Sequence, residues 1–199
     1  MRMQVIGIDA AFSNMGLCAA YINTHEVLLK SKVEVTHLTL VTTEGQDKKI
    51  VRKSSDDLRR ARDLHSGLTG FINSHHPRIA FAEVPHGSQS ARASWALGIA
   101  VGVLACCPVP IIQVSALEVK LASVGRKSAS KADMIEWAVQ QYPNLNWVRH
   151  NKKITNANEH LADAVATLYA GVNSLEFKQL VAMTEEPALR KRTALYSVV

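Results

Sequence analysis

The sequence predicts an α/β domain built on a mixed five-stranded sheet, in which three antiparallel strands precede two parallel strands and helices flank the sheet. Three observations carry this prediction. Apolar stretches of strand length follow each other closely near the start, a long helical pattern then intervenes, and two later buried stretches are each preceded by a helix. Strands joined through a helix usually lie parallel in one sheet, so the later stretches extend the first three.

The first three strands are predicted as successive hairpins. Residues 4–9 and 16–21 are apolar and are separated by a short turn of small residues. Alternating apolar residues at Val33 and Val35, within the segment from Val27 to Leu40, indicate the third strand.

Helices and parallel strands are predicted to alternate after this meander. A helix begins near Ser54 and ends before Pro77, and the continuous apolar run within 78–84 is typical of a buried strand. A crossover helix reaches about Cys107 and leads to a strand at 111–114. The remaining predicted elements are helices at 115–122 and 130–141, a polar loop over 142–155, a helix capped by Asn158, and a last helix over 174–183.

The crossover helix lies in an uncharged run from Trp95 to Ile112 that includes the pair Gly98 and Gly102. Two prolines interrupt the run, and alanine and glycine dilute its hydrophobicity, so a buried helix followed by a strand is favoured over a membrane span. The two glycines predict close helix packing.

Composition places the chain among folded proteins, and its charge balance favours a polyanionic partner. Its 199 residues are 47% hydrophobic and 20% charged, which excludes disordered and collagenous classes, and they fit one domain over 1–183 with a basic tail over 184–199. Lys and Arg number 23 against 17 acidic residues, a net charge of +6. Three cysteines form neither a disulfide framework nor a zinc pair, and the start resembles no signal peptide, so a cytoplasmic location is expected.

Three carboxylates stand at positions where the sequence predicts burial. Asp9 ends the first strand, Glu83 ends the fourth, and Asp163 lies on an apolar helix three residues after His160. Each residue alone is more typical of a cap or an ion pair, but an unpaired buried carboxylate is costly unless a cation offsets it. Their joint placement favours a site for hard divalent cations such as Mg²⁺, where two ions promote hydrolysis of a phosphodiester.

Four segments resemble the RuvC family of Holliday junction resolvases, within the RNase H-like, or retroviral-integrase-like, superfamily. The resemblance runs from about residue 4 to residue 172. Its segments are Ile6-Gly7-Ile8-Asp9 with Gly16, Phe81-Ala82-Glu83 with 97–103, residues 114–120 continuing to Lys131, and residues 160–166. Ala10-Ala11 stands where bacterial members have Pro-Gly, and residues 84–89 lack the aromatic residue of those members. These departures favour a divergent resolvase of phage type.

The resemblance implies an RNase H-like fold and a catalytic, metal-binding set made of Asp9, Glu83, His160 and Asp163. His160 is open to two roles, metal ligand or proton-transfer group. The resemblance also implies two Mg²⁺ ions per site, with Mn²⁺ able to substitute, and a homodimer with Gly98 and Gly102 near its interface. The expected setting is the cytoplasm of a bacterial or phage-infected cell, without a membrane partner. The predicted DNA-binding residues are Lys120, Arg126, Lys127 and Lys131.

The expected substrates are four-way junctions, together with forks and flaps. The alternative is a catalytically silent protein of the same fold that binds branched DNA. A phosphotransferase of the actin and sugar-kinase type is disfavoured, because the chain is short and its first turn, Ala10-Ala11-Phe12-Ser13, is not a glycine-rich phosphate loop. Other basic clusters are typical of solvated faces but would contact phosphates on a nuclease; they lie at 48–53, 59–62 and 149–153.

Overall fold

A computed structural model describes residues 2–27, 33–47, 49–85, 87 and 90–184. Its main sheet has five strands in the order β3-β2-β1-β4-β5. The pairs β1–β2 and β2–β3 are antiparallel, whereas β1–β4 and β4–β5 are parallel, which confirms the predicted fold class. The strands are β1 (Arg2–Ala10), β2 (Asn14–Asn23), β3 (Glu34–Thr42), β4 (Ile79–Glu83) and β5 (Ile111–Val114).

The helices lie within a few residues of their predicted bounds, except for a short first helix that sequence periodicity did not indicate. They are α1 (Thr24–Val27), α2 (Lys53–His75), α3 (Ala91–Ala105), α4 (Ala116–Ser123), α5 (Lys131–Gln141), α6 (Glu159–Asn173) and α7 (175–184). The segment over 142–155, predicted as a polar loop, also contains a small hairpin of β6 (Arg149–His150) and β7 (Lys153–Ile154). A 3₁₀ turn, Asn156–Asn158, joins this hairpin to α6.

Two hydrophobic cores lie on opposite faces of the sheet. On one face α6 packs across β1, β2 and β4, and Phe177 of α7 makes an edge-to-face contact with Phe81, with ring centroids 5.1 Å apart. On the other face α2 and α3 supply Leu64 and Leu104 against Ile8 of β1. Because side chains alternate along a strand, the apolar residues of β1 and β4 contribute to both cores.

The prediction that Gly98 and Gly102 pack closely against another helix is wrong within the chain. Both residues are exposed, and a Cβ added at either position would have no atom within 4 Å. The buried face of α3 is formed instead by Ala100, Val103 and Leu104. None of the helices in the described ranges is long and apolar enough to cross a membrane.

The cap predicted at Asn158 is also wrong. Asn158 precedes α6, but its side chain makes no capping hydrogen bond. The amide is fully buried and bonds to Val148 and Thr155, because the hairpin folds back over this position. Of the predicted basic tail, residues 185–199 lie outside the described residues.

Candidate active site

Asp9 and Glu83 are direct neighbours on adjacent parallel strands. The register of β1 and β4 pairs Val5 with Ile79, Gly7 with Phe81 and Asp9 with Glu83. Because every second side chain points to the same face, both carboxylates share the face on which Val5 and Phe81 pack against α6. The two strands therefore deliver two acidic groups side by side beneath the first turns of α6.

Helix α6 supplies the other acidic group and the imidazole. His160 Nδ1 lies 2.6 Å from Asp9 Oδ2, a hydrogen bond that raises the pKa of His160. Asp163, one turn further along α6, is half-buried. Its pKa is raised to about 7, first by burial and then by the negative charges of Asp9, Glu159 and Glu83. The structure thus brings the four predicted site residues together.

Gly16 allows α6 to reach this position. Gly16 is the cross-strand partner of Asp9, and a Cβ built on it would overlap the carbonyl oxygen of His160. Gly7 lies under α6 in the same way, because a Cβ there would overlap the carbonyl oxygen of Ala164. A side chain at residue 16 would push the helix away from the carboxylates.

The turn between β1 and β2 is fixed from the opposite face by Arg60 of α2. This buried guanidinium stacks on the ring of Phe12, with Cζ 3.9 Å from the ring centroid, and donates to Ser13 Oγ at 2.9 Å and Thr43 Oγ1 at 3.2 Å. Sequence reasoning assigned Arg60 only to a surface cluster. A usable signal exists, since Arg60 is spaced four residues before Leu64 and eight before Leu68 on the apolar stripe of α2.

An open groove of about 770 Å³ lies beside His160. The turn between β1 and β2 and the start of α3 form its sides. Three cationic side chains line it: Lys53, Arg60 and Arg92. Asp57, which is buried, partly offsets them, because it accepts from Arg92 at 2.6 and 2.8 Å and pairs with Lys53 at 3.0 Å.

The predicted DNA-binding residues differ in their surroundings. Lys131 reaches the site, since its Nζ lies 2.6 Å from Glu159 Oε1. Arg126 is paired with Asp133 at 2.6 Å, at the start of α5. Lys127 is exposed in the turn before α5, and Lys120 is half-buried on α4. In the part of the chain that the structure describes, neither Lys120 nor Lys127 forms an ion pair.

The side chains at the candidate site belong to the chemical types that bind a hard divalent cation. Three carboxylates could supply oxygen ligands. The raised pKa of Asp163 reflects first its burial and then neighbouring negative charges, which a cation would offset. In the arrangement seen here, His160 contacts an Asp9 oxygen, and no three described His, Cys, Asp or Glu side chains converge closely enough to form a metal cluster. The assignment of metal ligands stays a prediction.

The strand order and the acidic site beneath α6 define the class: an RNase H-like α/β protein with carboxylates at the ends of its central strands. Within this class, part of the chain is similar in sequence to RuvC. It is 36% identical over 86 residues to the crossover junction endodeoxyribonuclease RuvC of Granulibacter bethesdensis, an alignment that covers 41% of this chain. The chain spans about half of that relative, 48% of its length. No family model matches the chain.

Solved structures support the same fold. RuvC of Thermus thermophilus, determined in complex with a Holliday junction substrate, superposes with a TM-score of 0.59 at 18% identity, covering 84% of this chain and 92% of that one. The yeast mitochondrial Holliday junction resolvase Ydc2 superposes with a TM-score of 0.53 at 11% identity, covering 90% of this chain and 83% of that one. These matches confirm the predicted resemblance to the RuvC-like fold.

Proposed function

We propose that the chain is a metal-dependent, structure-selective DNA endonuclease that resolves Holliday junctions and cuts related branched DNA. The observation that carries the proposal is the in-register pair of Asp9 and Glu83 beneath His160 and Asp163 of α6. The names of the relatives, a crossover junction endodeoxyribonuclease and two junction-bound or junction-resolving proteins, support the substrate class.

Asp9, Glu83 and Asp163 would hold Mg²⁺, with Mn²⁺ able to substitute, and two ions per site suit a phosphodiester with one attacking and one leaving oxygen. Bound divalent ions supply Lewis-acid chemistry, by lowering the pKa of water and stabilising charge on phosphate oxygens.

His160 serves as the proton-transfer group in this proposal. Asp9 engages Nδ1 and thereby orients the ring, which leaves Nε2 as the nitrogen available for a water in the groove. The same contact makes His160 a stronger base, because the Asp9 carboxylate favours the imidazolium form. Lys131, held near the site by Glu159, would offset charge on the phosphate.

Paired cuts across a four-way junction require two active sites, so we propose a homodimer with twofold symmetry. The exposed face of α3 is the proposed contact. It carries Trp95 and Val101 beside the uncovered Gly98 and Gly102, which would let a second helix approach closely. A dimer mass in sedimentation, converted to a monomer mass by Gly98→Arg, is the expected result.

Cleavage of labelled substrates tests the function. Purified protein is incubated with a four-way junction, a fork, a flap and linear duplex in Mg²⁺, Mn²⁺ or EDTA, beside the Asp9→Asn variant. We expect paired nicks near the branch that need a divalent ion. The variant should cut about a thousandfold more slowly, since several kcal/mol of metal-borne stabilisation are lost, but it should still bind the junction. Binding without cutting by the unaltered protein would indicate the silent junction binder instead.

A further inference from the structure

The β6–β7 hairpin is a short, well-defined projection. Arg149 pairs with Ile154 and His150 with Lys153, so Asn151 and Lys152 form a two-residue turn. Both turn residues have positive φ, 49° and 65°, as in the turns that best match the twist of antiparallel strands. The guanidinium of Arg149 donates to the carbonyl of Lys152 at 3.3 Å, across the turn.

Asn158 fastens the base of the hairpin to the start of α6. Its Oδ1 accepts from the Val148 amide at 2.7 Å, and its Nδ2 donates to the carbonyls of Val148 at 2.8 Å and Thr155 at 2.9 Å. Asn158 is fully buried, so these bonds are protected from water. Because His160 follows two residues later, the hairpin and the candidate active site are attached to the same rigid helix end.

The hairpin carries positive charge that no described acidic residue neutralises by an ion pair. Arg149, Lys152 and Lys153 are exposed, and the sequence has no acidic residue between Glu136 and Glu159. Over the described ranges none of the three cations forms an ion pair. Lys131 and Arg126 differ in this respect, since Glu159 and Asp133 hold them.

We propose that the β6–β7 hairpin grips backbone phosphates of the DNA arm that carries the scissile strand, close to the phosphate that is cut. This inference rests on the proposed nuclease function. It adds that the DNA beside the candidate active site runs along the hairpin. Three clustered cations that form no ion pair with a described residue can bind a polyanion through release of its counterions. Phosphate contacts position DNA without reading its sequence. Because the hairpin is fastened to the start of α6, its three cations would therefore set the position of the scissile DNA strand relative to the active site.

Salt dependence of junction binding tests the inference, measured by fluorescence anisotropy in the Asp9→Asn background so that the substrate stays intact. The test variant is Arg149→Gln/Lys152→Asn/Lys153→Gln, in which Asn suits the left-handed turn position. The control, Arg78→Gln/Lys178→Gln, removes two cations that also form no ion pair among the described residues and lie away from the hairpin, before β4 and on α7. Melting temperatures of both variants are measured alongside, with Lys152→Asn alone as a milder substitution.

In the hairpin variant, the slope of log affinity against log salt should be smaller in magnitude by about 2 to 3, because each phosphate that is no longer neutralised removes roughly 0.9. The control variant should keep the slope of the parent. Methylphosphonates placed singly along the scissile arm should weaken binding by the parent near the cut but leave the hairpin variant unaffected there. Equal slopes for the hairpin and control variants would overturn the inference and leave the nuclease function standing. Failure of the parent to bind any branched DNA would instead overturn the proposed function.

Discussion

The backbone of His160 lies directly against Gly16, in the space that a side chain on residue 16 would occupy. Gly16 also pairs across the sheet with Asp9, so one crossing point sets both the approach of α6 and the contact between His160 and Asp9. The geometry of the candidate site therefore depends on a residue with no chemistry of its own.

Gly16→Ala should displace the start of α6. Forcing extra atoms into a filled space costs about 1–3 kcal/mol, and the larger effect should be on cleavage, since His160 and Asp163 move together. Thermal melts and single-turnover cleavage check this prediction. Gly70→Ala is the control, because Gly70 lies on α2 and an added Cβ there would meet no other atom within 4 Å. This variant should be more stable than the parent by up to about 1 kcal/mol. Unchanged cleavage by Gly16→Ala would show that the site tolerates the shift.

The mixed sheet could be predicted from the sequence, and Asp9, Glu83 and Asp163 could be chosen as candidates, because both steps use local patterns. Apolar runs define the strands, and an acid at the end of such a run is visible without a structure. The helical spacing of Arg60 indicates that it faces inward, but the hydrogen-bond partners of Arg60 and Asn158 could not be predicted. Those partners lie far along the chain or beside a hairpin that sequence periodicity does not indicate. The role of an inward-facing polar residue can be interpreted only when its hydrogen-bond partners are known.

The raised pKa of Asp163 predicts an unusual pH dependence for the stability of the metal-free protein. Its pKa is about 7 in the fold, against an ordinary value of 3.8, so the folded state binds more protons between these values. The free energy of unfolding should therefore fall as pH rises from about 4 to about 7, opposite to the effect of a salt-bridged carboxylate. Denaturant unfolding in EDTA measures this slope.

Asp163→Asn should remove that slope and make the protein more stable than the parent at pH 8, with the two converging near pH 4. Mg²⁺ added at pH 8 should then stabilise the parent and leave Asp163→Asn almost unaffected, since a cation binds the ionised carboxylates. The same pH slope in both proteins would mean that another group titrates.

Arg60→Ala should lower both stability and cleavage. The substitution leaves the hydroxyls of Ser13 and Thr43 without their buried cationic donor, a loss of about 1–3 kcal/mol, and frees the turn that follows Asp9. Arg60→Lys keeps the charge but not the planar fork, so it should recover only part of the stability. Arg62→Ala, on the same helix, serves as the control for loss of a positive charge.

His160→Asn should separate proton transfer from metal binding. In the parent, cleavage should rise with pH as His160 loses its proton, at a pH above its ordinary pKa of 6.5 because Asp9 favours the charged ring. The variant should be slower by about 10²–10⁴ and lack this rise. His160→Asp keeps a metal ligand but replaces the imidazole that accepts the proton. Full activity in His160→Asp, with the pH dependence abolished, would favour the metal-ligand role.

The ion pair of Lys131 and Glu159 makes a charge test beside the site possible. Lys131→Ala removes the cation and leaves Glu159 unpaired near Asp163, so junction binding should weaken and its salt slope should fall by about 0.9. Glu159→Gln releases Lys131 for the phosphate and should tighten binding, which anisotropy titrations detect. Because the double variant restores charge balance but lacks the cation, it should still bind less tightly than the parent. Parent-like binding by the double variant would mean that Lys131 only neutralises Glu159 and does not contact DNA.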